Sequence, residues 1–209
     1  EWAAAEKRNL EMAMLQQQMN PHFLLNTLNT IRFLAERSSQ ERIGSLVLSL
    51  SYLLRQQLYR GERFWTLEEE KEYLLQYIEI QRARFGEGIQ VELAFEEDAL
   101  QLPVLRMLLQ PLVENSFEHA FGGRAEGTIR IDARRSGNGL RLSVADDGAG
   151  FAAASDSPNP AARKSIGLQN VRDRLRMHYG EEAVLDIADR QPSGTVVSLS
   201  IPALEGERA

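Results

Sequence analysis

Cysteine is absent from all 209 residues. That excludes a disulfide scaffold, a thiol nucleophile and cysteine-ligated metal, and it fits a reducing compartment. A basic excess is missing too: 24 Lys and Arg stand against 30 Asp and Glu, a formal net charge of −6. Direct nucleic-acid binding needs a basic stripe and a high pI, so the balance argues against it. Nor is there a long hydrophobic run. The longest uncharged stretch, residues 12–31, contains three consecutive Gln together with Asn20, Pro21, His22, Asn26 and Asn29, which makes it a poor membrane span. No secretory signal is visible, and the opening EWAAAEKRNL, without an initiator Met, reads as a cut from a longer polypeptide. What is present, 43% hydrophobic and 26% charged residues, is the composition of a soluble globular protein. The length suits one ordinary domain or a small helical module joined to a second compact one.

From Trp2 to Ala35 there is no glycine, and apolar residues recur at Met12, Leu15, Met19, Leu24, Leu28, Ile31 and Ala35, which is helical spacing. Pro21, after Asn20, marks a bend or a fresh first turn. Ser38 and Ser39 make a loop, and a second amphipathic helix follows with Ile43, Leu46, Val47, Leu50, Leu53, Leu54 and Leu58 on one side. One partner helix cannot hide such wide stripes. The pattern therefore predicts that two hairpins pair into a four-helix bundle, making a homodimer. Thr66 with Glu69 three residues later reads as a capping box that starts a third helix, running to about Arg84 and ended by Gly86 and Gly88.

The texture then changes. Ile89, Val91, Leu93 and Phe95 alternate as in a half-buried strand. Apolar residues from Val104 to Phe117 predict helix, broken at Pro111. Two strands, residues 128–134 and 140–145, read as a hairpin around Ser136, Gly137, Asn138 and Gly139. A helix over residues 167–179 and strands over 183–188 and 195–201 close the chain. The fold class predicted is α+β: a helical hairpin over residues 1–65, then an α/β sandwich over residues 66–209.

Three segments carry polar residues that packing alone does not require. In QMNPHFLLN, His22 and Asn26 are four apart and share a helix face. Imidazole is substantially unprotonated near neutral pH, which leaves a lone pair to attack phosphorus, and the Asn26 amide can orient a water or a phosphate oxygen. In LQPLVENSFEHAF, Asn115 and His119 share a face, and an Asn carbonyl is a hard oxygen that can complete a magnesium shell otherwise filled by phosphate and water. The third segment is bipartite. Asp146, Gly148 and Gly150 follow a strand, where a buried Asp can accept from the exocyclic amine of adenine and glycines admit a nucleotide. Gly167 and Leu168 open a helix whose free amides attract phosphate. Each segment alone also has a plain structural reading: a helix start, an exposed polar face, a tight turn.

In this order the segments resemble the LytS-type sensor histidine kinases over nearly the whole chain. The resemblance implies that His22 is the phospho-acceptor and that LQPLVENSFEHAF is the asparagine box of the ATP-binding fold shared with DNA gyrase and the heat-shock chaperones, placing Asn115 on Mg²⁺. It further implies that DDGAG is the first glycine box with Asp146 at adenine, that IGLQNVRDRL is the second with Gly167 at the phosphates, and that SGTVV sets Thr195 near the nucleotide. With these come ATP and Mg²⁺, a mixed sheet under a flap over residues 152–164, and phosphotransfer to an aspartate of a response regulator receiver domain. A membrane-anchored sensor whose catalytic part is cytoplasmic completes the expectation. The chain departs from the pattern in places. Glu118 stands where many relatives carry Lys or Arg, which leaves Arg124, Arg163 or Lys164 to supply that charge, and Phe23 stands where other histidine kinases have an acid beside the acceptor. These departures motivate an alternative, a dimeric nucleotide-binding signalling module without efficient autophosphorylation, pseudokinase or phosphatase-biased. A hydrolytic machine is disfavoured because Pro111 occupies the position of its usual water-activating Glu.

Overall fold

The computed structural model describes residues 21–58, 63–86, 88–121, 126–150 and 166–203. The expected helix over residues 12–19, the flap over 152–164 and the side chains of Arg124, Arg163 and Lys164 lie outside these. The chain forms two compact units, residues 1–60 and 61–209.

The first unit is an antiparallel hairpin of α1, Pro21–Arg37, and α2, Glu41–Leu58. Pro21 sits at the first described position of α1, where its fixed φ suits a helix start. Ser39 turns the chain in the left-handed region, with φ 53°. Ala35 on α1 and Gly44, Val47, Ser49, Ser51 and Leu53 on α2 are the buried residues. The apolar stripe is wider than the hairpin covers: Ile31, Phe33, Leu34, Ile43, Leu48, Leu50 and Leu58 remain exposed. No helix among the described residues is long and apolar enough to cross a membrane.

The second unit is a two-layer sandwich. Strand β1, Phe64–Thr66, leads straight into α3, Leu67–Phe85. The Thr66 hydroxyl accepts the Glu69 amide at 3.2 Å and the Glu69 carboxylate accepts the Thr66 amide at 2.8 Å, which is the capping box expected from the sequence. Gly86 ends α3 at φ 90°, its N–H donating to the Arg82 carbonyl. The main sheet runs β2 (Ile89–Phe95), β4 (Gly127–Ser136), β5 (Gly139–Asp146), β7 (Thr195–Ile201), β6 (Val184–Asp189). β2 and β4 are parallel and the other neighbours antiparallel, so the sheet is mixed.

Alternation sorts each strand into two faces. Ile129, Ile131, Ala133, Leu140, Leu142, Val144, Val197, Leu199 and Ile201 are buried under α3, α4 (Gln110–Asn115) and α5 (Ile166–Tyr179). Arg130, Asp132, Arg134, Arg141, Ser143 and Ser198 line the other face, where they surround a depression of about 580 Å³. That depression contains none of the candidate site residues.

One expectation is corrected. Val104 and Leu105 are not helical but belong to β3, Pro103–Leu105, which pairs antiparallel with β1. Met107 then adopts φ 54°, a turn that no helix propagates through, and α4 starts only at Gln110 with Pro111 in its first turn, where a missing N–H costs nothing. At its far end α4 widens into a π turn over Ser116–Ala120.

Candidate functional site

The second unit draws its candidate residues together around one carboxylate. Asp146 is the last residue of β5 and only 3% exposed. Its Oδ1 accepts from the Gly148 amide at 3.0 Å and the Thr195 amide at 3.1 Å, and its Oδ2 accepts from the Ser116 hydroxyl at 3.3 Å. These three donors come from the first glycine segment, the closing strand and the asparagine segment. Burial raises the carboxyl above its ordinary range; the bonds from Gly148, Thr195 and Ser116 pull the other way, and neighbouring Asp147 raises it further. With Oδ1 carrying two donors and Oδ2 one, Oδ2 keeps an acceptor position of the kind an exocyclic amine requires.

Backbone contacts fix the loop that follows. A Cβ on Gly148 would collide with the carbonyl and side chain of Ala120 at the end of the π turn, while the Ala149 amide donates to that carbonyl at 2.9 Å. Glycine is therefore required for the loop to lie flat on the asparagine segment. Asp147 exchanges two bonds with Thr128 on β4: its amide donates to the Thr128 carbonyl at 3.2 Å and its carboxylate accepts the Thr128 amide at 2.8 Å. Gly150 takes φ 89° beside Asp189 and Gly194. Gly194 takes φ 115°, and a Cβ there would strike the Asp146 backbone.

Asn115 closes α4, half-buried, one residue before Ser116. His119 lies in the π turn; its side chain is outside the described residues. Gly167 is the second residue of α5, and Leu168 next to it is buried, so Leu168 anchors the helix start to the core. Helix α5 packs against α4. Glu118, the departure noted above, lies 3.6 Å from Arg84 on α3, which offsets part of its charge. Glu114 has its carboxyl raised by burial and then by Glu118, with Arg84 opposing.

His22 and Asn26 lie on α1, in the other unit. Asn26 is exposed and its backbone carbonyl accepts the Thr30 hydroxyl at 3.0 Å; the His22 side chain is outside the described residues. Sequence reasoning missed Ser116, Asp147 and Gly194. Ser116 sat inside a motif already singled out, and its spacing from Asn115 carried no signal of its own.

Residues 10–89 match the family described as histidine kinase. Residues 101–205, half of the chain, match the histidine kinase-, DNA gyrase B- and HSP90-like ATPases. The sensor histidine kinase YesM of Bacillus subtilis is 32% identical over 196 residues, covering 93% of this chain and 34% of YesM. The sensor histidine kinase BtsS of Escherichia coli is 33% identical over 193 residues, covering 92% of this chain and 33% of BtsS. The chain thus spans about a third of the length of the curated relatives it matches. The histidine kinase domain of the blue-light activated histidine kinase from Erythrobacter litoralis EL346 superposes with a TM-score of 0.54 at 21% identity, over 87% of this chain and 96% of that one, which is a likeness of fold. With its asparagine and glycine segments gathered on one buried aspartate, the chain belongs to the LytS-type sensor histidine kinases, its second unit being a histidine kinase-, DNA gyrase B- and HSP90-like ATPase domain.

Proposed function

We propose that this chain is the catalytic part of a two-component sensor, binding ATP in its second unit and transferring the γ-phosphoryl group to His22 of its helical unit. The observation that carries the reading is Asp146. It is a buried carboxylate held by donors from Ser116, Gly148 and Thr195, with one oxygen position still able to accept an adenine amine. Gly148 and Gly150 then admit the nucleotide, and the start of α5 at Gly167 lies toward its phosphates, where free helix amides favour negative charge.

Half-buried Asn115 at the end of α4 offers one hard amide oxygen, a donor that fits Mg²⁺, which keeps water and phosphate oxygens as most of its shell and takes few protein ligands. Asn115 would hold it through the amide oxygen, and the ion would neutralise charge on the phosphates. The protein's own part is positioning. Transfer forms a bond from a His22 ring nitrogen to the γ-phosphorus and breaks the bond from that phosphorus to the β,γ-bridging oxygen, with ADP leaving. The Asn26 amide, one turn from His22, orients the accepting ring or a phosphate oxygen.

The phosphate passes next to an aspartate of a response regulator receiver domain that docks on the helical unit, and the whole protein is a dimer whose catalytic part faces the cytoplasm from a membrane-anchored sensor. The ion pair of Glu118 with Arg84 offsets part of one charge behind the alternative, a module that binds nucleotide without transferring phosphate; its other ground, Phe23 in place of an acid beside His22, stands. Incubation with γ-labelled ATP and Mg²⁺ tests the reading. Acid-labile label on the chain, absent in His22→Gln, is the expected result; nucleotide binding with no label on the unaltered chain would overturn it.

A further inference from the structure

The stretch Leu105–Gln110, which joins β3 to the helix bearing Asn115, is gripped from two sides. From α3, the Glu70 carboxylate accepts the Met107 amide at 2.7 Å and the Leu109 amide at 2.8 Å, and the Tyr73 hydroxyl donates to the Gln110 side-chain oxygen at 3.0 Å. From α5, the Arg174 guanidinium donates to the Met107 carbonyl at 3.1 Å and to the Arg106 carbonyl, and the Tyr179 hydroxyl accepts the Leu105 amide at 2.9 Å. Glu70 is wholly buried. A charged side chain at 0% exposure that spends both oxygens on one turn costs desolvation, and the Met107 conformation at φ 54° adds backbone strain. The two amides it satisfies would otherwise be left without acceptors, so the residue fixes this turn in one conformation.

The clamp sits at the root of both candidate nucleotide elements. Helix α4 runs from Gln110 to Asn115, and its far end is fixed to Asp146 through Ser116. Helix α5 carries Gly167 two turns, about 10 Å, before Arg174. Glu70 itself lies in the first turn of α3, the helix that receives the chain from the helical unit. Building on the ATP reading above, we propose that Glu70 and Arg174 are positioning residues, which by holding Arg106–Leu109 between them set the separation of Asn115 and Gly167 and so the grip on the nucleotide phosphates. The groups that face the Glu70 carboxylate are Arg174 and Tyr179 of α5, with Arg106 of the clamped stretch beyond Arg174.

The test is titration of the full chain with a fluorescent ATP analogue and Mg²⁺, beside thermal unfolding of each variant. Glu70→Gln keeps the shape but turns an N–H donor toward one backbone N–H. Arg174→Lys keeps the charge but cannot fork onto two carbonyls. Each is expected to remain folded and to bind the analogue about tenfold more weakly, as small misplacements of positioning groups do. The double variant should bind no more weakly than the worse single one, because both act on one turn. Glu70 ionises at about 7, and Gln does not ionise. The ratio between wild type and Glu70→Gln should therefore narrow from about pH 8 to about pH 6, whereas a merely structural role leaves it flat. Failure of the wild-type chain to bind the analogue overturns the nucleotide reading and this inference with it. Wild-type binding with folded variants within about twofold of it overturns the inference alone. Should Glu70→Gln not fold, Arg174→Lys decides by the same criterion.

Discussion

Single side chains in the second unit are held where only one atom type fits. Gly148 is the clearest case, since any Cβ there meets the Ala120 carbonyl and the loop cannot shift without breaking the amide bonds to Asp146 and Ala120. Gly148→Ala should lower stability by about 1–3 kcal/mol, the usual cost of overpacking, and should abolish nucleotide binding while the sheet still forms. Thermal denaturation and the analogue titration check the two halves separately. Glu70 gives a prediction in pH. Burial raises its carboxyl from 4.5 to about 7, with the bonds from Leu109 and Met107 and the Arg174 charge opposing. Because the folded value lies above the unfolded one, its contribution to stability is fully present below about 4.5 and is lost as pH rises through about 7, a difference of roughly 3 kcal/mol. Subtracting the pH profile of Glu70→Gln stability from that of the wild-type chain should leave a fall over this window and a level line above it. A difference that stays constant across the window would show that Glu70 is ionised throughout.

Elements show which local rules were decisive. The start of α3 was legible because a capping box is written in adjacent residues, and Thr66→Ala should cost about 1 kcal/mol in thermal unfolding by removing the acceptor for the Glu69 amide. The three glutamates that follow show where legibility ends. Glu68 accepts the Gln101 side-chain amide, Glu69 caps the helix, and Glu70 is buried on Met107 and Leu109. The letters are the same, and only the partners, more than thirty residues away for Glu68 and Glu70, set them apart. Residues 104–105 failed for a related reason. A short apolar run suits strand or helix equally, and its pairing with Phe64–Thr66 is non-local. The β4–β5 hairpin, by contrast, announced itself through the Gly137–Asn138–Gly139 turn, and Gly137 takes φ 58°. Of the site, the glycines and Asp146 were readable as a motif, but the Ser116 bond that ties the asparagine segment to Asp146 came only with the fold.

The whole molecule turns on what covers the helical hairpin. Along α2, Ile43, Leu46, Leu50, Leu54 and Leu58 follow helical spacing, yet Ile43 is 47%, Leu50 44% and Leu58 36% exposed within one chain; on α1, Ile31 and Leu34 are 42% and 56% exposed. Such a stripe costs solvation free energy in water, and a second hairpin presenting the same stripe buries it with twofold symmetry. Full burial of one leucine is worth about 1.5–3 kcal/mol, of which Leu50 has a little under half left to gain; a Glu carboxylate there adds its desolvation cost, and in a symmetric pair every substitution acts twice. Leu50→Glu should therefore weaken self-association by at least 3 kcal/mol, roughly a hundredfold or more in dissociation constant. Sedimentation equilibrium at micromolar concentration should then find a dimer for the wild-type chain and a monomer for Leu50→Glu. Because Leu50 belongs to the helical unit and the Asp146 cluster to the other, the variant should still bind the ATP analogue as the wild type does. A wild-type monomer at that concentration would mean that something other than a second copy covers the stripe.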